Sequence, residues 1–226
     1  MIVTVDPRVL TASGHARDAR GRLQIAGVGV EELERIYGTP LLVFDATTFE
    51  RNLERMLGAC EPHNISIAYA AKALLFVGLA RRLAARTQLD LDVCSLGEIV
   101  TAELGGFPAA RMYLHGCGKS DDEIDTAILG RVAFIVVDGL RELETLAERA
   151  QGRPVKLGLR INSGIEVHTH EFVRTGGENT KFGIAPADFE QALRVLDAHP
   201  NLEAIALHAH MGSQIFDEAP FAANPD

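Results

Sequence analysis

Short runs of β-branched and apolar residues recur along this chain at nearly constant intervals of 21 to 24 residues, and this spacing limits the possible folds more than any other feature. The runs are LLVFD at 41–45, ISIAYA at 65–70, LDLDV at 89–93, MYLHG at 112–116, AFIVV at 133–137 and KLGLRI at 156–161. Helical patterns fill the gaps, and three begin with a capping-box pair: Thr47 with Glu50, Ser95 with Glu98, and Ser120 with Glu123. Alternating strands and helices predict a parallel sheet with right-handed crossovers, either doubly wound or a (β/α)8 barrel, and the even spacing favours the barrel.

A seventh strand, EAIALHAH at 203–210, follows a longer interval that contains a glycine-rich polar segment at 162–180 and a helical pattern near 187–198. Only MGSQIFDEAPFAANPD remains after it, which is too short for another helix and strand, whereas a complete barrel of this type takes roughly 250 residues. We therefore expect an α/β fold, a (β/α)8 TIM barrel that is incomplete with about seven strands. Residues 1–40 are predicted to be an N-terminal extension, and residues 41–226 a truncated barrel portion.

Composition and charge narrow the possible partners. Lys and Arg number 22 against 31 Asp and Glu, a net charge of −9, which disfavours nucleic acid and anionic membrane surfaces as partners. The longest apolar run, VAFIVV at 132–137, is far shorter than the roughly 20 residues of a membrane span, and the N-terminus has no secretion signal. These features predict a soluble cytoplasmic enzyme. The spacing of Cys60, Cys94 and Cys117 fits neither a disulfide framework nor a zinc site, so we expect reduced thiols.

Residues at the carboxyl ends of the predicted strands are the first candidates for chemistry, because parallel barrels place their active sites there. Lys72 lies in YAAKA, and an alanine surround would desolvate the amine, lower its pKa and favour a Schiff-base role. The alternative is a lysine that extends into solvent. Asp90, Asp92 and Cys94 alternate with apolar residues on one strand, so one of the carboxylates is expected to face the barrel lumen, while helix capping is the favoured explanation for Ser95 and Glu98.

The segment HGCGKS at 115–120 is not a nucleotide-binding loop, since the phosphate-loop pattern requires glycine where Tyr113 stands. Lys119 and Ser120 are assigned instead to a turn and a helix cap. Arg160 closes a strand among apolar residues, so it needs an anionic ligand or a structural ion pair.

His208 and His210 share one side of the last predicted strand by its two-residue period. Gly212 and Ser213 follow them, and a glycine-serine turn of this kind can hold phosphate. With the second pair, His168 and His170, these histidines could also bind zinc, but no carboxylate clearly completes such a site, and the non-metal interpretation is preferred.

Five segments taken together, YAAKA, LDVCSLGE, HGCGKS, LRINSGIEVHTHEFVRTGGENTKFGI and LHAHMGSQIFD, resemble in order and spacing the diaminopimelate decarboxylases. These enzymes belong to the fold-type III group of pyridoxal-phosphate decarboxylases, whose barrel is of the alanine racemase and ornithine decarboxylase type. The resemblance implies the cofactor pyridoxal 5'-phosphate, a small amino-acid substrate, and decarboxylation of meso-2,6-diaminopimelate to L-lysine, the last step of lysine biosynthesis. It also implies a homodimer for a full-length relative.

The resemblance further implies a role for each matching residue. Lys72 would form the Schiff base with the cofactor, His210 would stack on its ring, and Ser213 after Gly212 would hydrogen-bond its phosphate. The remaining three, Asp92, Glu98 and Arg160, would form the polar network around the lysine and the cofactor hydroxyl.

The chain also departs from the family pattern. Residues 1–226 lack the glycine-rich phosphate loop, the acidic partner of the pyridine nitrogen and the C-terminal β-domain, so we expect the isolated chain to be inactive. The alternatives are a catalytically dead pyridoxal-phosphate-binding or regulatory homologue, a decarboxylase of another basic amino acid such as ornithine, and a metal-dependent barrel hydrolase.

Overall fold

The computed structural model describes residues 15–162 and 182–210, which fall into two compact units, Met1–Ser66 and Ile67–Asp226. The predicted boundary at residue 40 stays a prediction. No helix in the described ranges is both long and apolar enough to cross a membrane.

The described part of the first unit contains a small antiparallel sheet and two helices. The strands are β1 (His15–Arg17), β2 (Leu23–Ile25) and β3 (Val28–Gly29), paired in the order β1-β2-β3, and the helices are α1 (Val30–Tyr37) and α2 (Ala46–Cys60), the latter followed by a 3₁₀ turn (Glu61–His63). Ala26 and Gly27, which join β2 to β3, both have positive φ (49° and 82°), the conformation that a two-residue hairpin turn requires.

The predicted strand at 41–45 is wrong, because this segment has no strand assignment and Leu42 is 100% exposed. An apolar run becomes a strand only if a neighbouring backbone completes its hydrogen bonds, and the pattern alone cannot supply that neighbour. The capping pair of Thr47 and Glu50 is also wrong. Asp45 is the N-cap of α2 and accepts a hydrogen bond from Thr48 N at 3.0 Å, which places Thr47 inside the helix.

The part of the second unit that the structure describes is built on six parallel strands. They are β4 (Ile67–Ala70), β5 (Leu89–Val93), β6 (Met112–Leu114), β7 (Phe134–Val137), β8 (Val155–Arg160) and β9 (Leu202–His208), and each pairs with its neighbours in chain order. The connecting helices are α3 (Val77–Ala84), α4 (Leu96–Leu104), α5 (Asp121–Ile128), α6 (Leu140–Ala150) and α7 (Phe189–Ala198), and 3₁₀ turns occupy Ala71–Ala73, Ala109–Arg111 and Pro186–Asp188. Six of the seven predicted strands are confirmed. An order without reversal is that of a barrel wall, since a doubly wound sheet reverses at its switch point.

The two faces of this sheet differ in chemistry. Leu89, Leu91 and Val93 of β5 are completely buried, and the corresponding residues of the other strands form one apolar layer with the helices: Met112, Leu114, Ile135, Val137, Leu157 and Leu159 from the sheet, and Leu79, Leu83, Ile99, Leu143 and Leu146 from the helices. The opposite face carries Asp90 and Asp92, which alternate with these apolar residues. The predicted alternation of β5 is confirmed, and the polar face is left for the functional site.

Helices α4 and α5 begin at the residues that the sequence predicts. Ser120 and Glu123 form a complete capping box at the start of α5. Ser95 caps α4 by accepting a hydrogen bond from Glu98 N at 3.3 Å. The capping residues therefore fix where the segments after β5 and β6 turn into their helices.

Candidate active site

The carboxyl ends of the six parallel strands surround a cavity of about 200 Å³. Its walls are formed by Lys72, Asp92, Cys94, His115, Gly116, Cys117, Val136, Asp138, Arg160, Phe182, His208 and His210, all within the second unit. Every strand contributes a residue at or just after its carboxyl end, which is where parallel barrels place their active sites. Four of the predicted site residues, namely Lys72, Asp92, Arg160 and His210, are brought together here.

Lys72 lies in the 3₁₀ turn that directly follows β4. The hydroxyl of Tyr69, in β4, donates a hydrogen bond at 2.9 Å to the carbonyl of Leu74, which follows the turn, and so connects the residues on the two sides of the turn. The burial expected for Lys72 is not observed, since its side chain is exposed. The methyl groups of the neighbouring alanines are too short to cover a four-carbon side chain. Within the described residues no hydrogen bond or ion pair to its ammonium group is found, so the amine is available to a ligand.

Two parallel cross-strand pairs connect β5 to the strand beside it. Asp92 Oδ1 lies 2.5 Å from His115 Nδ1, and two residues earlier the hydroxyl of Tyr113 donates to the carboxylate of Asp90. The backbone N–H of His115 also donates to Val93 O at 2.7 Å, which extends the β5–β6 ladder by one bond. Of the two carboxylates of β5, Asp92 is the one that lines the cavity.

Arg160, the last residue of β8, forms an ion pair with Asp138, the residue that follows β7. Both side chains are nearly covered, at 12% and 10% exposed, and the guanidinium carbon lies 5.0 Å from the centre of the Phe182 ring. The structural ion pair considered for Arg160 is therefore present. It leaves the cavity wall electrically balanced at this point, because the guanidinium charge is matched by a carboxylate.

Glu98 is not among the residues that line the cavity. Its carboxylate accepts a hydrogen bond from Cys94 N at 2.6 Å, one residue before the N-cap, and so holds the turn between β5 and α4. The predicted capping role of Ser95 is confirmed, whereas Glu98 bonds to the turn rather than to the N-cap backbone. Its predicted place in a polar network around the lysine and the cofactor stays a prediction.

The two histidines at the end of β9 face the same cavity, as their spacing predicts. Burial, reinforced by neighbouring groups that include His115 and Arg160, lowers the pKa of His208 to about 3. Burial and the nearby charge of Lys72 also lower the pKa of His210. Both imidazoles are therefore neutral at neutral pH.

Cys94 lies in the same wall and is held as a thiol. Burial, and then the charges of Asp92 and Glu98, raise its pKa to about 11. Since the thiolate is the reactive form, Cys94 is a poor nucleophile at neutral pH. Cys94 therefore does not compete with the amine of Lys72 as a nucleophile at neutral pH.

Among the wall residues that the sequence did not mark as site candidates are His115, Asp138 and Phe182. His115 lies near the end of the predicted strand at 112–116 and Asp138 directly follows the one at 133–137, so the strand-end rule that selected Lys72 would have found them as well. Phe182 follows a long segment without strand or helix patterns, and the sequence includes it only as part of the segment at 159–184 that carries the resemblance. Gly212 and Ser213, like His168 and His170, lie outside the described residues, and within the described ranges no group of three potential metal ligands occurs.

Comparisons with known proteins agree with this geometry. Residues 46–224 match the family model described as "Pyridoxal-dependent decarboxylase, pyridoxal binding domain". The diaminopimelate decarboxylase of Bacillus subtilis is 36% identical over 211 residues, 91% of this chain and 48% of that protein. That of Mycobacterium tuberculosis is 40% identical over 205 residues, 89% of this chain and 45% of that protein. The chain thus spans about half the length of the curated relatives it matches.

Solved structures show the same relationship. Diaminopimelate decarboxylase from M. jannaschii superposes with a TM-score of 0.82 at 27% identity, over 94% of this chain and 51% of that one. A Helicobacter pylori diaminopimelate decarboxylase complexed with L-lysine gives a TM-score of 0.75 at 29% identity, over 85% and 49% of the two chains. The six-stranded sheet is accordingly the wall of an incomplete TIM-type barrel. The chain belongs to the pyridoxal-dependent decarboxylases, and the part that matches is their pyridoxal-binding domain.

Proposed function

We propose that this chain is the pyridoxal-phosphate-binding portion of a decarboxylase that converts meso-2,6-diaminopimelate to L-lysine and carbon dioxide. The observation that carries the proposal is the exposed amine of Lys72 on a cavity at the carboxyl ends of the barrel strands, in a domain that matches the pyridoxal-binding family. The substrate is supported by relatives that are 36% to 40% identical and carry the name diaminopimelate decarboxylase. The Helicobacter pylori relative was solved with L-lysine, the expected product.

The residues present in the cavity fit such a cofactor. Two buried ring nitrogens, Nε2 of His115 and Nδ1 of His208, have no hydrogen-bond partner within the described part of the chain. A buried polar atom without a partner is costly, so a cavity with two of them is suited to a ligand with polar substituents. Lys72 would hold the cofactor covalently through Nζ, and the neutral imidazole of His210 would stack on its ring.

When bound, pyridoxal phosphate supplies an electron sink for the electron pair that remains as carbon dioxide departs. The chain's own residues would hold the cofactor and orient it in the cavity. Lys72 Nζ provides the attachment and, on release, an amine that can carry a proton. The paired charges of Arg160 and Asp138 keep one wall polar without leaving a free charge, and Gly212 and Ser213 are proposed to bind the phosphate.

Two finer parts of the proposal concern assembly and location. The homodimer expected for a full-length relative is implied by the resemblance, and the cytoplasmic location is the prediction made from the sequence itself. Size-exclusion chromatography with light scattering measures the first, and cell fractionation the second.

Attachment at Lys72 is tested by adding pyridoxal phosphate, reducing with borohydride and mapping the modified peptide by mass spectrometry. We expect the label on the peptide that contains Lys72 and its loss in Lys72→Ala. The matched control is Lys156→Ala, an exposed lysine on β8, which should keep the label. Label scattered over several lysines would contradict the assigned site.

The substrate is tested without requiring turnover. An amine substrate displaces Lys72 from the cofactor, so it should protect Lys72 from borohydride labelling. We expect meso-diaminopimelate to protect at lower concentration than L-ornithine. Stronger protection by ornithine would favour the other candidate, a decarboxylase like the Vibrio vulnificus lysine/ornithine decarboxylase, which superposes with a TM-score of 0.69 at 25% identity.

A further inference from the structure

His115 is held on the cavity wall through its ring nitrogen Nδ1 and its backbone N–H. Its Nδ1 lies 2.5 Å from Asp92 Oδ1, and its backbone N–H donates to Val93 O at 2.7 Å. An ionised carboxylate can only accept hydrogen bonds, so Nδ1 must carry a proton for this contact to be favourable. The carboxylate therefore selects the tautomer of the neutral ring in which Nε2 carries the lone pair.

The acceptor that this tautomer creates is buried and unused. Nε2 of His115 has no hydrogen-bond partner among the described residues. The ring of His208 lies next to it, with ring centres 4.4 Å apart and an interplanar angle of 48°, and its Nδ1 likewise has no partner in the described ranges. Both rings line the cavity. The lone pair of Nε2 is thus oriented in advance for a donor that comes from a ligand.

We propose that His115 is a ligand-binding residue of this site, whose Nε2 accepts a hydrogen bond from an N–H or O–H group in the cavity, and that Asp92 is the positioning residue that sets its tautomer. The donor belongs either to the cofactor or to the amino-acid substrate. The inference rests on the proposed function, since that function brings such donors into this cavity. It gives Asp92 a role through the imidazole of His115.

A substitution can separate the two contacts of His115. In His115→Asn the side-chain amide can still donate to Asp92, because Asn Nδ2 occupies nearly the place of His Nδ1, but nothing replaces the acceptor at Nε2. We expect the dissociation constant of the donor-bearing ligand to rise about tenfold, the effect of losing one hydrogen bond. His63→Asn changes an exposed histidine of the first unit and should leave binding unchanged.

The binding experiment has two arms. Pyridoxal phosphate alone is titrated by equilibrium dialysis, and meso-diaminopimelate is then titrated onto the cofactor-loaded protein. Weaker cofactor binding in His115→Asn identifies the cofactor as the donor, and an effect confined to the second arm identifies the substrate. Unchanged affinities in both arms would overturn the inference, whereas failure of the unsubstituted chain to take up label at Lys72 would overturn the proposed function instead.

A second measurement on the unsubstituted protein covers the case in which the variant does not fold. The ¹⁵N spectrum of labelled histidine should show the His115 ring with Nδ1 protonated and Nε2 unprotonated, and the Nε2 resonance should move upfield when the donor-bearing ligand is added. A purely structural role for His115 predicts no such movement. A protonated Nε2 in the free protein, or a resonance unmoved by both ligands, contradicts the inference.

Discussion

Replacing Lys119 with methionine is expected to destabilise the second unit strongly. The Lys119 side chain is only 1% exposed, and its ammonium donates to Gly116 O at 2.6 Å, Val136 O at 2.7 Å and Glu142 Oε1 at 2.7 Å. Methionine fills nearly the same space but removes the charge and all three hydrogen bonds. Because Gly116 follows His115, the substitution also releases the loop that carries His115 from strand β7.

The loss of unfolding free energy follows from the buried Glu142 carboxylate that remains when Lys119 is removed. Glu142 is 12% exposed, and burial already raises its pKa even with Lys119 beside it. Removing one partner of a buried ion pair costs about 3–5 kcal/mol, because the other charge stays buried without compensation. Without Lys119 the pKa of Glu142 rises further above its unfolded value, so the loss is largest at neutral pH and decreases as the pH falls toward the ordinary range of glutamate, where the carboxyl group takes up a proton.

Urea unfolding followed by circular dichroism measures this at neutral and mildly acidic pH, for the unsubstituted chain, Lys119→Met, Glu142→Leu and the double variant. We expect the double variant to regain most of the stability, since a well-packed apolar pair often replaces a buried ion pair without loss. A Lys119→Met variant within about 1 kcal/mol of the unsubstituted chain, the value of an exposed pair, would refute the reasoning. The reasoning would also be refuted if the double variant lost as much unfolding free energy as the two single variants together.

Two further substitutions test the helix layer and the histidine cluster. A Cβ at Gly105 would lie 2.5 Å from Ala80 Cβ, so Gly105→Ala should cost about 1–3 kcal/mol in urea unfolding. Gly97→Ala in the same helix, whose Cβ meets no atom closer than 3.9 Å, should cost nothing, and equal losses would argue against helix contact as the cause. The lowered pKa of His208 implies stability that is complete above the histidine's unfolded pKa and is lost toward its folded value of about 3, at about 1.4 kcal/mol per pH unit. His208→Asn should remove this part of the slope of unfolding free energy against pH, and an unchanged slope would disprove it.

Local patterns predicted the elements of the second unit well. The two-residue alternation of β5, the N-cap at Ser95 and the capping box of Ser120 and Glu123 depend on residues close in the chain, so the sequence alone determines them. The strand-end rule then placed Lys72 and His210 in one cavity. Such features need no knowledge of distant neighbours.

The wrong predictions depended on distant or competing contacts. The segment at 41–45 has a strand's composition but no ladder in the described residues, and Asp45 takes the N-cap that was assigned to Thr47. The carboxylate that forms the ion pair with Arg160 lies 22 residues earlier, at Asp138. No sequence pattern near either residue predicts this pairing. Burial of Lys72 failed for a similar reason, because its coverage depends on side chains from elsewhere in the fold.

The position of the polar residues follows from the register of the parallel strands. Tyr113 pairs with Phe134, and their rings stack with centres 4.4 Å apart, below the level at which Asp92 meets His115. Gly158 lies on the same face beside the Phe134 ring, and a Cβ at this position would be in ordinary van der Waals contact with the ring, at 3.5 Å. Since side chains on one face of a strand repeat every two residues, the layer above must hold the residues at the strand ends. The polar residues that line the cavity therefore lie at the mouth of the sheet, above the layer formed by Tyr113 and Phe134.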